Sequence, residues 1–243
     1  SRQFEPIPAP IIISNTVTTP RSRSVWEWCL LVFLSGFVAI SLEIIWFRIL
    51  DIVLQSIAYT YAHLLAFILL GNALGIIVGS ATIRFIHQPR KVFSAIQAGV
   101  AVYSLISIWL ISIYRQSHPI DLRTDIGYID LNNITPIVTF RYVVIPLVML
   151  VLPNFLLGFY FPLVQKVVQT EDSQIGQRVG LIQVANILGN TTGSLLTGLL
   201  LLDKLGTAGS LRLIACLGLG FVLPYFSFRK NKLASAIAIA LAA

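Results

Sequence analysis

Charge is scarce in this chain: Asp, Glu, Lys and Arg make up 11% of its 243 residues, against 56% apolar ones. About a quarter of the residues in a typical soluble domain are charged, so a water-soluble fold and a separate soluble catalytic domain are both excluded. The mean hydropathy of +0.85 points the same way. Sulfur is scarce too. The two cysteines, Cys29 and Cys216, fall in apolar stretches without metal-ligand spacing and read as small buried hydrophobes. There is no glycine-rich nucleotide loop, no zinc spacing and no nucleophile elbow. No catalytic residue, metal or cofactor is therefore expected in this chain, and any enzyme activity would belong to another part of a parent protein. The only methionine is Met149, the first residue is Ser1, and the last eleven residues form the apolar run LASAIAIALAA. Such a run is too short to cross a bilayer, so the chain is expected to be a trimmed segment of a longer polypeptide.

The net charge of +7 comes from Lys and Arg placed in short segments between apolar runs. Cytoplasmic loops of membrane proteins have that pattern, so the bilayer is the expected partner and nucleic acid is not. The expected fold is an all-α polytopic transmembrane bundle with six complete spans and a partial seventh. A proline-containing cytoplasmic tail (1–24) precedes the transmembrane domain (25–243). The spans are read at about 26–50, 57–83, 92–114, 138–168, 179–202 and 211–228, with a seventh beginning at Leu233. The first two are expected to pack as an antiparallel hairpin linked around Asp51 and Gln55. Pro146, Pro153 and Pro162 each remove a backbone donor, so the fourth helix is expected to be kinked. The polar stretch 115–136 is the longest loop. Near the helix ends, ten Lys and Arg fall on one side (Arg21, Arg23, Arg84, Arg90, Lys91, Lys166, Arg178, Arg229, Lys230, Lys232) and six on the other (Arg48, Arg115, Arg123, Arg141, Lys204, Arg212). That asymmetry puts the amino terminus in the cytoplasm. No clear inverted repeat stands out.

Gly71, Gly75 and Gly79 recur every four residues, so they line one stripe of the second helix and admit a close neighbour. Asn186, Gly189, Asn190 and Gly193 form a similar stripe on the fifth helix. There the two amides serve as interhelical glue or touch a polar substrate. Glu43 lies inside the first apolar run, where a carboxylate needs a partner, water or a cation. Arg48 is five residues on, about 140° around the helix, so a partner on another helix is preferred, with His63 and Arg141 as candidates. Glu43 and His63 are thus the candidate cation or proton site, His63 being either a satisfied structural histidine or a relay. The tripeptide Asn133-Ile134-Thr135 is a glycosylation sequon of no weight by itself.

Four stretches taken in order resemble one family: SGFVAISLEIIWFRIL (35–50), LAFILLGNALGIIVGS (65–80), LPNFLLGFYFPLVQ (152–165) and VGLIQVANILGNTTGSLLTGLLLLDKLG (179–206). They are similar to the membrane portion of spermidine synthase-like proteins, in which a transporter-like part is fused to an aminopropyltransferase. The resemblance implies a following soluble Rossmann-like domain that binds decarboxylated S-adenosylmethionine and a polyamine. Its nucleotide loop and catalytic acids match nothing in this chain, so no catalytic residue is carried over. The expected function is a noncatalytic membrane module that anchors the enzyme or passes polyamine-type cations, with Glu43 as cation contact. Two alternatives stand beside it: an accessory subunit packed against other membrane subunits or a second copy, and a small-solute transporter.

Overall fold

The computed structural model describes residues 22–54, 58–117, 139–168 and 175–222. Most of the amino-terminal tail, most of the 115–136 loop with its sequon, and the segment from Leu233 lie outside the described residues. Every described element is helical: α1 (Ser22–Leu54), α2 (Ala58–Thr82), α3 (Pro89–Ser117), α4 (Leu152–Val168), α5 (Ile175–Leu196) and α6 (Leu202–Leu219). Among the described residues, four helical runs are long and apolar enough to cross a membrane: Val25–Leu54, Thr60–Phe85, Pro89–Ile113 and Tyr142–Val168. In α5 the polar residues Asn186, Asn190, Thr191 and Thr192 sit among the leucines and lower its hydropathy.

Prolines shape the approach to α4. Two π-helical turns, Phe140–Val144 and Leu147–Val151, precede it in one continuous helical run. Pro153 has no N–H for the Val148 carbonyl five residues before it, the spacing at which π-helical bonds run. Side chains of other helices donate to carbonyls of this run. His63 Nε2 donates to the Tyr142 carbonyl at 2.6 Å, and the Tyr103 hydroxyl donates to the Val148 carbonyl. A third π turn, Thr197–Leu201, carries α5 on into residues 202–205, and the chain reverses within α6 at Gly206, whose φ of 66° and ψ of −177° suit only glycine.

The sequence reading needs two corrections here. Asp51 is not part of a link, because α1 continues helically to Leu54. Nor do α1 and α2 pack along their lengths as a hairpin. Instead α1 lies along α5 and α2 lies along α4, while α1 and α2 meet sparsely. Glycine makes both close pairings. A Cβ on Gly193 would stand 2.6 Å from the Phe37 carbonyl oxygen, and one on Gly189 would strike that of Phe33. Across the other pair, a Cβ on Gly79 would stand 2.6 Å from the Phe159 carbonyl oxygen, and one on Gly75 would strike that of Phe155. Each partner helix returns the contact: Gly36 faces the Asn186 backbone and Gly158 faces the Asn72 backbone.

These matched contacts expose a repeat. FLSGF (33–37) on α1 corresponds to FLLGF (155–159) on α4, and NALGIIVGS (72–80) on α2 to NILGNTTGS (186–194) on α5. The described residues form two three-helix units, α1–α3 and α4–α6, and the first helix of each packs on the second helix of the other. Contact registers also give direction. Residues 33, 37 and 41 of α1 meet 189, 193 and 197, so α1 and α5 are parallel. Residues 27, 28 and 35 of α1 meet 90, 93 and 97, so α3 is parallel too. Against α3, residues 93 and 103 meet 160 and 148, so α4 is antiparallel, and α2 runs with α4. Residues 93 and 101 of α3 meet 221 and 218, so the α6 end also runs opposite. Directions alternate along the described helices, so the matched segments of the second unit run opposite to those of the first, the arrangement of an inverted repeat.

Candidate functional site

Because α1 commits its glycine face to α5 and α2 commits its own to α4, their remaining faces diverge and leave a cleft of about 750 Å³. From α1 its wall is Ile40, Glu43, Ile44, Phe47, Arg48 and Asp51, spaced three and four apart as one helical face must be. From α2 come Thr60, Tyr61, Leu64, Leu65 and Ile68, and Leu202 contributes from the continuation of α5 ahead of the reversal at Gly206. The opposite side of α1 is core: Leu42, Ile45, Trp46, Leu50 and Leu54 are fully buried. The carboxylates of Glu43 and Asp51 are thus held on a rigid helix, about 12 Å apart along its axis by helical rise.

Glu43 is partly buried, and no ion pair to it exists among the described residues. Arg48 lies on the same wall, exposed toward the rim. Phe47 and Tyr61 stack across the cleft at 5.4 Å between centroids and 24° between planes. Two carboxylates, one guanidinium and an aromatic pair, backed by aliphatic side chains, make a surface suited to an organic ammonium group. Carboxylates attract its charge and ring faces favour its desolvated cation.

The structure separates Glu43 from His63. The imidazole leaves the cleft to bond the Tyr142 carbonyl and packs edge-on to Phe67 at 5.0 Å. His63 as the interhelical partner of Glu43 is therefore corrected, since the Tyr142 carbonyl engages the imidazole. The Arg141 side chain lies outside the described residues. Gly71, Gly75 and Gly79 sit against Val151, Phe155 and Phe159 of the α4 run, and Asn186, Gly189, Asn190 and Gly193 against Phe33, Gly36 and Phe37 of α1. The Asn186 and Asn190 side-chain oxygens lie beside Gly36. Asp51, Phe47 and Tyr61 were not singled out from sequence as site residues. For Phe47 and Asp51 the signal is their spacing from Glu43, each four residues on.

The cleft has a counterpart in the inverted unit. Between α4 and α5, Tyr160, Phe161, Val164, Gln165 and Val168 face Val179, Ile182, Gln183 and Asn186, with Val32 of α1 behind, around a cavity of only about 20 Å³. In the repeat register Gln165 stands where Glu43 stands, Val179 where Leu65 stands, and Ile182 where Ile68 stands. Comparison with protein families, curated proteins and solved structures finds no match for this chain.

Proposed function

We propose that this chain is a noncatalytic integral-membrane module that takes a small organic cation of polyamine type into the α1–α2 cleft. The observation that carries the reading is Glu43, a partly buried carboxylate with no ion pair among the described residues, on the wall of a cleft it shares with Asp51 and the Phe47–Tyr61 stack. An intramembrane carboxylate is costly unless something cationic or aqueous answers it. The likeness of 35–50, 65–80, 152–165 and 179–206 to the membrane portion of spermidine synthase-like proteins supports the same cargo. Six alternating crossings, a partial seventh from Leu233 and a fourth helix bent at its prolines complete the reading. The Lys and Arg asymmetry orients the amino terminus to the cytoplasm and the cleft away from it.

The test is equilibrium binding of labelled spermidine to the purified full chain in lipid nanodiscs. Replacing Glu43 removes one charge-assisted contact, worth about 1.5–3 kcal/mol, so Glu43→Gln should weaken binding roughly tenfold or more. A wild-type affinity in Glu43→Gln, or no saturable binding by the native chain, overturns the reading.

A further inference from the structure

We propose that the α1–α2 and α4–α5 clefts are the two mouths of one path, opened in turn as the inverted repeats exchange conformations, so that the chain moves its solute across the membrane. Three observations meet here. The clefts are repeat mates, with Glu43, Leu65 and Ile68 corresponding to Gln165, Val179 and Ile182. They lie at opposite ends of the bundle: each is lined by the carboxy-terminal part of its unit's first helix and the amino-terminal part of its second, and α4 runs antiparallel to α1. They are also in opposite states, about 750 Å³ at one and 20 Å³ at the other.

Two units of similar local sequence have access to similar conformations. A bundle in which one unit holds its cleft wide and the other holds it shut therefore has a second arrangement with the roles reversed. The helix pairs suited to move as bodies are α1 with α5 and α2 with α4, since glycine brings each pair into backbone contact. Rocking one pair against the other closes the α1–α2 cleft and opens the α4–α5 cleft. The mouths differ in chemistry in a way that favours release. Glu43 meets the cargo with a carboxylate, whereas Gln165 and Gln183 offer only neutral amides. The identity of the cargo as an organic cation rests on the reading of the α1–α2 cleft above; the alternation does not.

The test needs no ligand. In the full chain carrying Cys29→Ala and Cys216→Ala, the pair Ile44→Cys and Leu65→Cys is bridged with thiol cross-linkers of graded length, and Gln183→Cys is labelled with a charged maleimide. Bridging α1 to α2 with the short linkers should raise Gln183→Cys labelling severalfold, and reduction of the bridge should reverse it, which separates gating from misfolding. The converse bridge, Gln165→Cys to Val179→Cys, should leave Tyr61→Cys fully labelled. Labelling of Gln183→Cys that is unchanged by the α1–α2 bridge overturns the proposal. So does failure of every short linker to join α1 and α2, because walls that never approach cannot close. Loss of spermidine binding with alternation intact would remove the cargo and leave the path.

Discussion

At the residue scale, two polar side chains go to backbone carbonyls of the proline-containing helical run. His63 donates from α2 to the Tyr142 carbonyl at 2.6 Å, and Tyr103 donates from α3 to the Val148 carbonyl. A lone histidine in an apolar helix thus works as an interhelical hydrogen-bond donor. His63→Ala should destabilise the protein by about 1 kcal/mol, the usual net value of such a bond. His63→Gln keeps an N–H donor of similar reach, so it should cost clearly less. Denaturant titration of the three proteins in mild detergent gives the contrast; equal costs for the two substitutions would contradict this account. Glu43 makes the complementary case. Its composition and setting marked it as unusual, but only the divergence of α1 and α2 gives it a cleft to face.

At the scale of elements, glycine acts where backbone meets backbone. Gly75 and Gly189 occupy matching positions of the two units, and an added methyl group would strike the Phe155 or Phe33 carbonyl oxygen. Neither neighbour is a flexible side-chain end, so the helices would have to separate. Gly75→Ala and Gly189→Ala should each cost about 1–3 kcal/mol, as overpacking does. Gly180 has nothing within 4 Å of an added Cβ, so Gly180→Ala should be neutral or stabilising, since alanine is the better helix former by about 1 kcal/mol. Thermal unfolding of the three variants checks the contrast, and a Gly180→Ala cost equal to the others would show that helix propensity, not contact, sets the values. Fourfold glycine spacing was legible in the sequence. Which helix each stripe meets was not, because α4 and α1 present the same Phe, Leu and Gly pattern and either could have served.

For the whole molecule, the exchange of partners between units means that neither unit buries its own helices. In isolation α1 would expose the face it sets against α5, and α2 the face it sets against α4. A chain cut within 118–138 should therefore reassemble when both halves are co-expressed, and either half expressed alone should aggregate or be degraded. Affinity capture of one half through a tag on the other reads the result; a monodisperse, helical single half would refute the exchange. The repeat was present in the sequence as FLSGF with FLLGF and NALGIIVGS with NILGNTTGS, but short matches of common membrane residues occur by chance. A competing register, GNALG (71–75) with GNTTG (189–193), is as persuasive by eye. Contacts choose the first, because Gly75 and Gly189 face Phe155 and Phe33 and those phenylalanines are themselves repeat mates.

By itself the sequence determined that this is a helical protein with segments able to cross a membrane. Apolar content, the near absence of charge and the lengths of the apolar runs are local quantities, each readable without knowing any neighbour. It also marked Glu43 and the glycine stripes as positions that need an answer from elsewhere. Only the tertiary structure decided what answers them. Whether α1 pairs with α2 or with α5, whether His63 turns toward Glu43 or toward the Tyr142 carbonyl, and whether two similar helix pairs are related by inversion all depend on directions and registers between segments far apart in the chain. Helical periodicity says which residues share a face, and close packing between particular helices says what each face meets.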